Sequence, residues 1–269
     1  MGRNTIRSVG KGALKAALSL EYRRRYRADV DGFVYFDEVG LDEVGLERDE
    51  RVWHAPSAWL PTLLAFRRLR LGPGDVLADI GAGKGGALLL AASQPVRRVI
   101  GVELVDEFAQ EARRNLELNS ARVRARETEV VTADALEWRV PDDLTVVYLY
   151  SPFIGELFAQ VMRRLYEAHD RAPRPLRLVY NFPFEHDRLL DSGRAQVLDV
   201  CPATWPRTLG WWRREEVIVT YGIGDGPFPR PRGLRAPDAA LKHWSGRNDT
   251  EFQLIQPGKP TLSSKSGTA

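Results

Sequence analysis

From Leu71 onward, short apolar runs alternate with longer stretches whose apolar residues recur every three or four positions. Val76-Leu77-Ala78-Asp79-Ile80, Arg98 to Glu103, Glu129-Val130-Val131, Thr145 to Tyr150 and Leu176 to Tyr180 read as strands, each bounded by polar or turn residues. Between them, Leu88, Leu89 and Ala92 mark one helix. Phe108, Ala109, Ala112 and Leu116 mark a second, with Asn119 near its end. Ile154, Leu157, Phe158, Val161, Met162 and Leu165 form the longest continuous stripe and predict a third helix. Val197 to Val200 and Glu216 to Thr220 are later strands that extend the same sheet. Strands separated by helices of this length imply a parallel sheet covered on both faces, so the fold class is α/β.

The ends of the chain differ from this middle. Arg3, Arg7, Lys11 and Lys15 recur every fourth residue and would form one basic stripe on a helix. Ile6, Val9, Leu14 and Leu18 give that helix a partial apolar face, which Gly10 and Gly12 weaken by up to ~1 kcal/mol each. It reads as a surface helix, or as a lid or docking helix for an anionic partner. Asp37-Glu38-Val39-Gly40-Leu41 is followed at once by Asp42-Glu43-Val44-Gly45-Leu46, an acidic connecting segment. Past Gly222, a Pro/Gly-rich run from Gly224 to Pro231 breaks regular structure, and Thr261 to Ala269 is small and polar. The organisation expected is an N-terminal helical and acidic extension over 1–52, the main α/β domain over 53–223, and a tail over 224–269.

Composition narrows the setting. No apolar run approaches the ~18 residues of a membrane span, and the N-terminus has no continuous apolar h-region. Cys201 is the sole cysteine, which excludes an intramolecular disulfide and a multi-cysteine metal cage. No two histidines share metal-ligand spacing, so no metal is expected. A reducing cytoplasm is the compartment this predicts. The net charge of +3 is small, and nucleic acid is not the partner it suggests. Its distribution is uneven. Arg23, Arg24, Arg25 and Arg27 close a basic block, and Asp29, Asp31, Asp37 and Glu38 open an acidic one, which reads as two blocks that pair or stay solvated.

Gly81-Ala82-Gly83-Lys84-Gly85-Gly86 lies between a strand and a helix, where an open α/β sheet binds its ligand. Glycine is required there by the tight turn and by close approach of backbone to ligand. Gly81, Gly83 and Gly86 satisfy the dinucleotide pattern, with Glu103 near the ~20-residue offset of a ribose-binding acid. Alone, the loop fits NAD or S-adenosylmethionine (SAM). Three features favour SAM. Asp79 precedes the loop, and a carboxylate there repels pyrophosphate but suits the ammonium and sulfonium groups of SAM. Asp134, after the third strand, is placed to accept from an adenine amino group. Tyr150-Ser151-Pro152-Phe153 sits at the rim where a methyl acceptor would lie. Lys84 is followed by glycine rather than Ser or Thr, which argues against a P-loop.

From Trp53 to Ile223 the chain resembles the class I SAM-dependent methyltransferases, with the glycine loop, Glu103 and Asp134 in that family's order. Asp79 to Ala92 looks like bacterial methyltransferases of unassigned substrate and, more distantly, the non-SET histone-lysine methyltransferase core. The resemblance implies a Rossmann-like, seven-stranded, mostly parallel sheet flanked by helices. It implies that Asp79, Gly81, Ala82 and Gly83 hold the methionine portion, Glu103 and Leu104 the ribose, and Asp134 and Ala135 the adenine. Trp53-His54-Ala55-Pro56-Ser57 loosely matches a family segment that closes over SAM, which brings Trp53 and Ser57 into the cofactor set.

Amino-group methyltransferases commonly carry Asn/Asp/Ser-Pro-Pro-aromatic after strand four, and Ser151-Pro152-Phe153 has one proline fewer. Tyr150 and Ser151 are the expected groups facing the methyl, with the alternative that Tyr150 packs under the cofactor. His186, after strand five, is the candidate general base, its alternative being a surface-loop histidine. His169 reads as a cation at a helix C-terminus, and Trp205, Trp211 and Trp212 as a sheet edge or a pocket wall. The activity expected is methyl transfer to a nitrogen or oxygen of a small-molecule or protein acceptor. The rivals are a nicotinamide-dependent oxidoreductase and a non-catalytic SAM-binding module associated with nucleic acid.

Overall fold

The computed structural model describes residues 20–28, 30, 59–202 and 217–228. The stripe over residues 3–15, the acidic repeat, Trp53, His54 and Ser57, Trp205, Trp211 and Trp212, His243 and the tail beyond 228 lie outside the described residues. A helical segment α1 (residues 20–26) precedes α2 (Trp59–Arg68). There follow β1 (Val76–Ile80), α3 (Gly86–Ala92), β2 (Arg98–Glu103), α4 (Asp106–Leu118), β3 (Glu127–Thr132) and β4 (Val146–Tyr150). The chain continues through α5 (Gly155–Arg171), β5 (Leu176–Asn181), α6 (His186–Asp191), β6 (Ala195–Pro202) and β7 (Val217–Ile223).

The strands form one seven-stranded sheet in the order β3-β2-β1-β4-β5-β7-β6. β1 to β5 pair in parallel, while β7 runs antiparallel between β5 and β6. The α/β class and the seven mostly parallel strands therefore stand as expected. After β3 the chain crosses to the other side of β1 to lay down β4. This makes the carboxyl ends of β1 and β4 the switch point, where open sheets of this kind carry their ligand crevice.

Successive side chains on a strand point to opposite faces, and the two faces carry two cores. On one, Val76, Ala78 and Ile80 meet the predicted stripe of α5, with Leu157, Phe158, Val161, Met162 and Leu165 all buried. On the other, Leu77 and Tyr148 meet Phe66 of α2, residues 87–92 of α3, and Tyr22 and Tyr26 of α1. Asp79 points to this second face too, as its place between Ala78 and Ile80 requires.

Buried polar pairs fix the frame. Arg177, 6% exposed, donates to the Leu69 carbonyl at 3.1 Å and to the Asp75 carboxylate. Arg68 grips Asp199 through two bonds of 2.7 Å and so ties α2 to β6. Arg97 and Arg98 both pair with Asp143, at 2.7 and 2.8 Å, rather than with Glu103.

Candidate cofactor crevice

The glycine loop turns sharply off β1. Gly81, Gly83 and Gly85 have φ of 80°, 54° and 82°, a region side chains rarely enter. Space is short as well. A Cβ at Gly81 would lie 2.8 Å from Pro152 Cβ, and one at Gly85 would lie 3.0 Å from Ala112 Cβ. The Gly81 and Ala82 N–H groups donate to the Val102 carbonyl at 2.9 and 3.0 Å. The buried Asn115 of α4 donates to the Lys84 carbonyl at 2.9 Å, and Tyr22 of α1 donates to the Gly86 carbonyl at 3.1 Å. The loop is thus held from β2, α4 and α1 together.

Two carboxylates lie beneath it. Glu103, 5% exposed, ends β2, where its two oxygens accept the Gly83 N–H at 2.7 Å and the Val105 N–H at 2.9 Å. Asp79, 3% exposed, is different: its Oδ2 is buried with no hydrogen-bond partner. Burial, and then the Glu103 charge, pushes Asp79 up to about 8. A buried acceptor in this state costs free energy unless a donor or a cation meets it. Asp134 follows β3. The neighbouring Ala133 N–H donates to the Glu103 carbonyl at 2.8 Å, which brings the third carboxylate to the same edge. Asp134 Oδ1 accepts the Leu136 N–H at 2.8 Å and shapes the turn beyond it. Leu104 and Ala135 are partly buried beside these acids. The structure therefore gathers the three acids on adjacent strand ends.

The expected acceptor residues divide. Tyr150 is half-buried at the rim, its ring 5.5 Å from Phe182, which lies 6.4 Å from Phe184. Ser151 faces elsewhere. At φ 40° its hydroxyl turns toward the end of β5, against the Asn181 carbonyl at 3.1 Å and the Phe182 carbonyl, and it is 3% exposed. It fastens β4 to β5 rather than presenting an oxygen to a methyl group. His186 is not a surface-loop residue. It opens α6, is 2% exposed, and its Nδ1 lies 2.6 Å from the hydroxyl of the fully buried Tyr221. Burial lowers its proton affinity below the ordinary imidazole value. Enclosed in this way, it has no access to an acceptor as a general base. His169 does lie in the last turn of α5, as expected.

Sequence reading missed the residues that brace the crevice. Tyr22 and Asn115 act through backbone carbonyls, which leaves no spacing signature. A buried polar chain was legible in principle. Asn181 donates to the Tyr148 hydroxyl at 3.3 Å, which lies 3.3 Å from Thr62 Oγ1. Tyr148 pairs in register with Asp79, so period-2 alternation puts both on one face.

No protein-family model matches the sequence, and no curated protein sequence resembles it closely enough to count as a relative. Solved structures with a similar arrangement are numerous and distant. A ribosomal protein L11 methylase from Lactobacillus delbrueckii subsp. bulgaricus is 15% identical over 61% of this chain and 77% of its own, with a TM-score of 0.46. A precorrin-6y C5,15-methyltransferase from Geobacter metallireducens is 20% identical over 61% of this chain and 87% of its own, with a TM-score of 0.45. An RNA methyltransferase from Salinibacter ruber, solved with S-adenosyl-L-homocysteine, is 18% identical over 65% of this chain and 97% of its own, with a TM-score of 0.42.

Proposed function

We propose that this chain is a SAM-dependent methyltransferase that passes a methyl group to a nitrogen or oxygen of its acceptor. The observation that carries the reading is the orphaned Asp79 Oδ2, buried beside Glu103 directly under the glycine loop. Two carboxylates in one low-dielectric crevice call for a cation. SAM brings an ammonium and a sulfonium that favour the ionised form of Asp79, whereas a dinucleotide brings a pyrophosphate that favours no such ionisation and that the Glu103 charge repels.

When bound, SAM supplies a methyl on a positively charged sulfur, already activated for in-line transfer. What remains for the chain is positioning. Gly81 and Gly83 give the methionine portion an open backbone, Asp79 meets its positive charge, Glu103 is placed for ribose hydroxyls, and Asp134 with Leu104 and Ala135 frames an adenine. Tyr150 borders the place of the acceptor. Bound there, SAM would supply the methyl, with S-adenosylhomocysteine as the leaving group as the acceptor takes the carbon, and any proton on the acceptor would pass to solvent. Alignment of this kind supplies ~7–11 kcal/mol of a barrier.

A nicotinamide-dependent oxidoreductase remains the rival, on the strength of Gly81, Gly83, Gly86 and Glu103. The buried Asp79 opposes it, and so does antiparallel β7, which departs from the parallel order of dinucleotide sheets. Calorimetry of the full chain with SAM, S-adenosylhomocysteine and NAD separates the two. Binding of the first pair and not of NAD supports methyl transfer, and binding of NAD alone overturns it.

A further inference from the structure

We propose that Asn181 is a specificity-determining residue of the acceptor site, its Oδ1 taking a hydrogen bond from the nucleophile, and that the acceptor is a neutral nitrogen still carrying hydrogen. The inference rests on the methyltransferase reading for what is transferred, and it narrows that reading from nitrogen or oxygen to nitrogen.

Asn181 closes β5 and is 1% exposed. Its carbonyl accepts the Ser151 hydroxyl at 3.1 Å, and its Nδ2 donates to the Tyr148 hydroxyl at 3.3 Å. Tyr148 in turn lies 3.3 Å from Thr62 Oγ1 of α2. What is left over is Oδ1, which is buried and has no hydrogen-bond partner among the described residues. With Nδ2 tethered, the amide does not swing round to find a donor elsewhere. An apolar residue here would avoid the cost of a buried, unpaired acceptor. An orphan of this kind in a native fold calls for an occupant that brings the donor.

The place of this orphan ties it to the cofactor crevice. Asp79, Tyr148 and Val179 are neighbours in register across β1, β4 and β5, and two residues further on Tyr150 pairs with Asn181. Alternation along a strand then puts Asp79 and Asn181 on the same face of the sheet, on either side of β4. Strand spacing and rise separate their Cα atoms by ~12 Å. Two buried acceptors without donors thus flank the end of β4, where Pro152 abuts Gly81 of the cofactor loop. The residues that follow Tyr150 and Asn181, Ser151 and Phe182, both take positive φ, 40° and 53°, and each precedes a proline. Strain of this sort persists where function requires it.

The chemistry selects nitrogen. As a nitrogen lone pair forms its bond to the methyl carbon, the carbon–sulfur electron pair departs with sulfur and the nitrogen becomes positive. Its N–H then donates more strongly, so the bond to Oδ1 strengthens in the transition state, where it speeds transfer. The proton leaves to solvent afterwards, because an amide oxygen does not take it. A hydroxyl acceptor has to give up its proton as it attacks, and Asn181 supplies no base for that. His186, enclosed against Tyr221, supplies none either. A tertiary amine or a thioether would leave Oδ1 unpaired.

The test uses the full chain with SAM and three probes of similar shape: aniline, phenol and N,N-dimethylaniline. Mass spectrometry follows the methylated product, calorimetry the binding of SAM, and urea unfolding the stability. The wild type is expected to methylate aniline about tenfold or more faster than either of the others. Asn181→Leu should lose this preference and slow transfer to aniline about tenfold, with SAM affinity unchanged. Its urea midpoint should be no lower than that of the wild type, because the change removes an unpaired acceptor and only one long bond to Tyr148. Asn181→Asp keeps an acceptor oxygen and should keep the preference for aniline. Preference for phenol, equal rates with all three, transfer to none of them, or N181L acting on aniline as the wild type does overturns the proposal. So does a lower urea midpoint in N181L together with lost SAM binding, which would make Asn181 a structural residue only. Failure of SAM to bind the wild type defeats the methyltransferase reading, whereas intact SAM binding without preference for aniline defeats this proposal alone.

Discussion

Asp79→Asn should make the protein without cofactor more stable while crippling its cofactor site. Asp79 ordinarily titrates at 3.8, and in the fold burial and the Glu103 charge hold it at about 8. Between those values the unfolded chain has lost its proton and the native state keeps it, so stability falls as pH rises. At pH 7 the gap spans about three pH units, and at ~1.4 kcal/mol each the penalty is roughly 4 kcal/mol, an upper bound for a group this buried. Asparagine of the same size removes the titration but leaves a buried polar atom, so a gain of about 2–4 kcal/mol at pH 7 is expected. Urea unfolding of both proteins from pH 4 to pH 9 measures it. The difference between variant and wild type should be smallest near pH 4, grow to about pH 8, and then stay flat. A variant that is less stable at pH 7, with a difference that does not change with pH, would refute the reasoning. It would mean that Asp79 is an ordinary, satisfied carboxylate.

Other consequences are more local. Gly81→Ala places a side chain at φ 80° and 2.8 Å from Pro152, and should cost about 2 kcal/mol or more by urea unfolding and weaken SAM binding in calorimetry. Arg177→Met strips Asp75 of its buried partner, and a loss of about 3 kcal/mol is expected, partly recovered in the double variant R177M/D75N. Tyr221→Phe should cost about 1 kcal/mol, with no change in the pH profile of methyl transfer, because His186 has no access to the acceptor. His186 titrates below its ordinary value. Its contribution to stability is therefore present above pH ~6.5 and lost as pH falls, and His186→Gln should flatten that acid limb in unfolding experiments.

The sheet was legible because Val76 to Ile80 and Leu176 to Tyr180 are buried on both faces and read as apolar runs interrupted by a single charged residue each, Asp79 and Arg177. α5 was legible for the opposite reason, since only one face is buried and the stripe keeps its helical period. α2 escaped notice because Pro61, Thr62, Leu63, Ala65 and Phe66 are buried nearly all around it, between α3 and the sheet, which blurs the period. α6 has six residues, too few for periodicity to appear. At the site, Asp79, Glu103 and Asp134 could be placed because each sits at or just past the carboxyl end of its strand. Ser151 could not: its direction depends on a positive φ that nothing in Tyr-Ser-Pro-Phe demands. His186 was misjudged because Phe182-Pro183-Phe184-Glu185 reads as loop. The turn there instead feeds His186 inward to Tyr221. The arginines of α1 were visible as a block, but the seating of the helix on the glycine loop depends on a tertiary contact, from the Tyr22 hydroxyl to the Gly86 carbonyl.

The central claim is that a crevice with a protonated Asp79 is waiting for a positive charge, and counting protons tests it most directly. SAM titrated into the full chain at pH 7, in two buffers of different ionisation enthalpy, should release close to one proton per site, and none at pH 9. The same titration of Asp79→Asn should release none at either pH. Proton uptake, or a release equal in wild type and variant, would contradict the account.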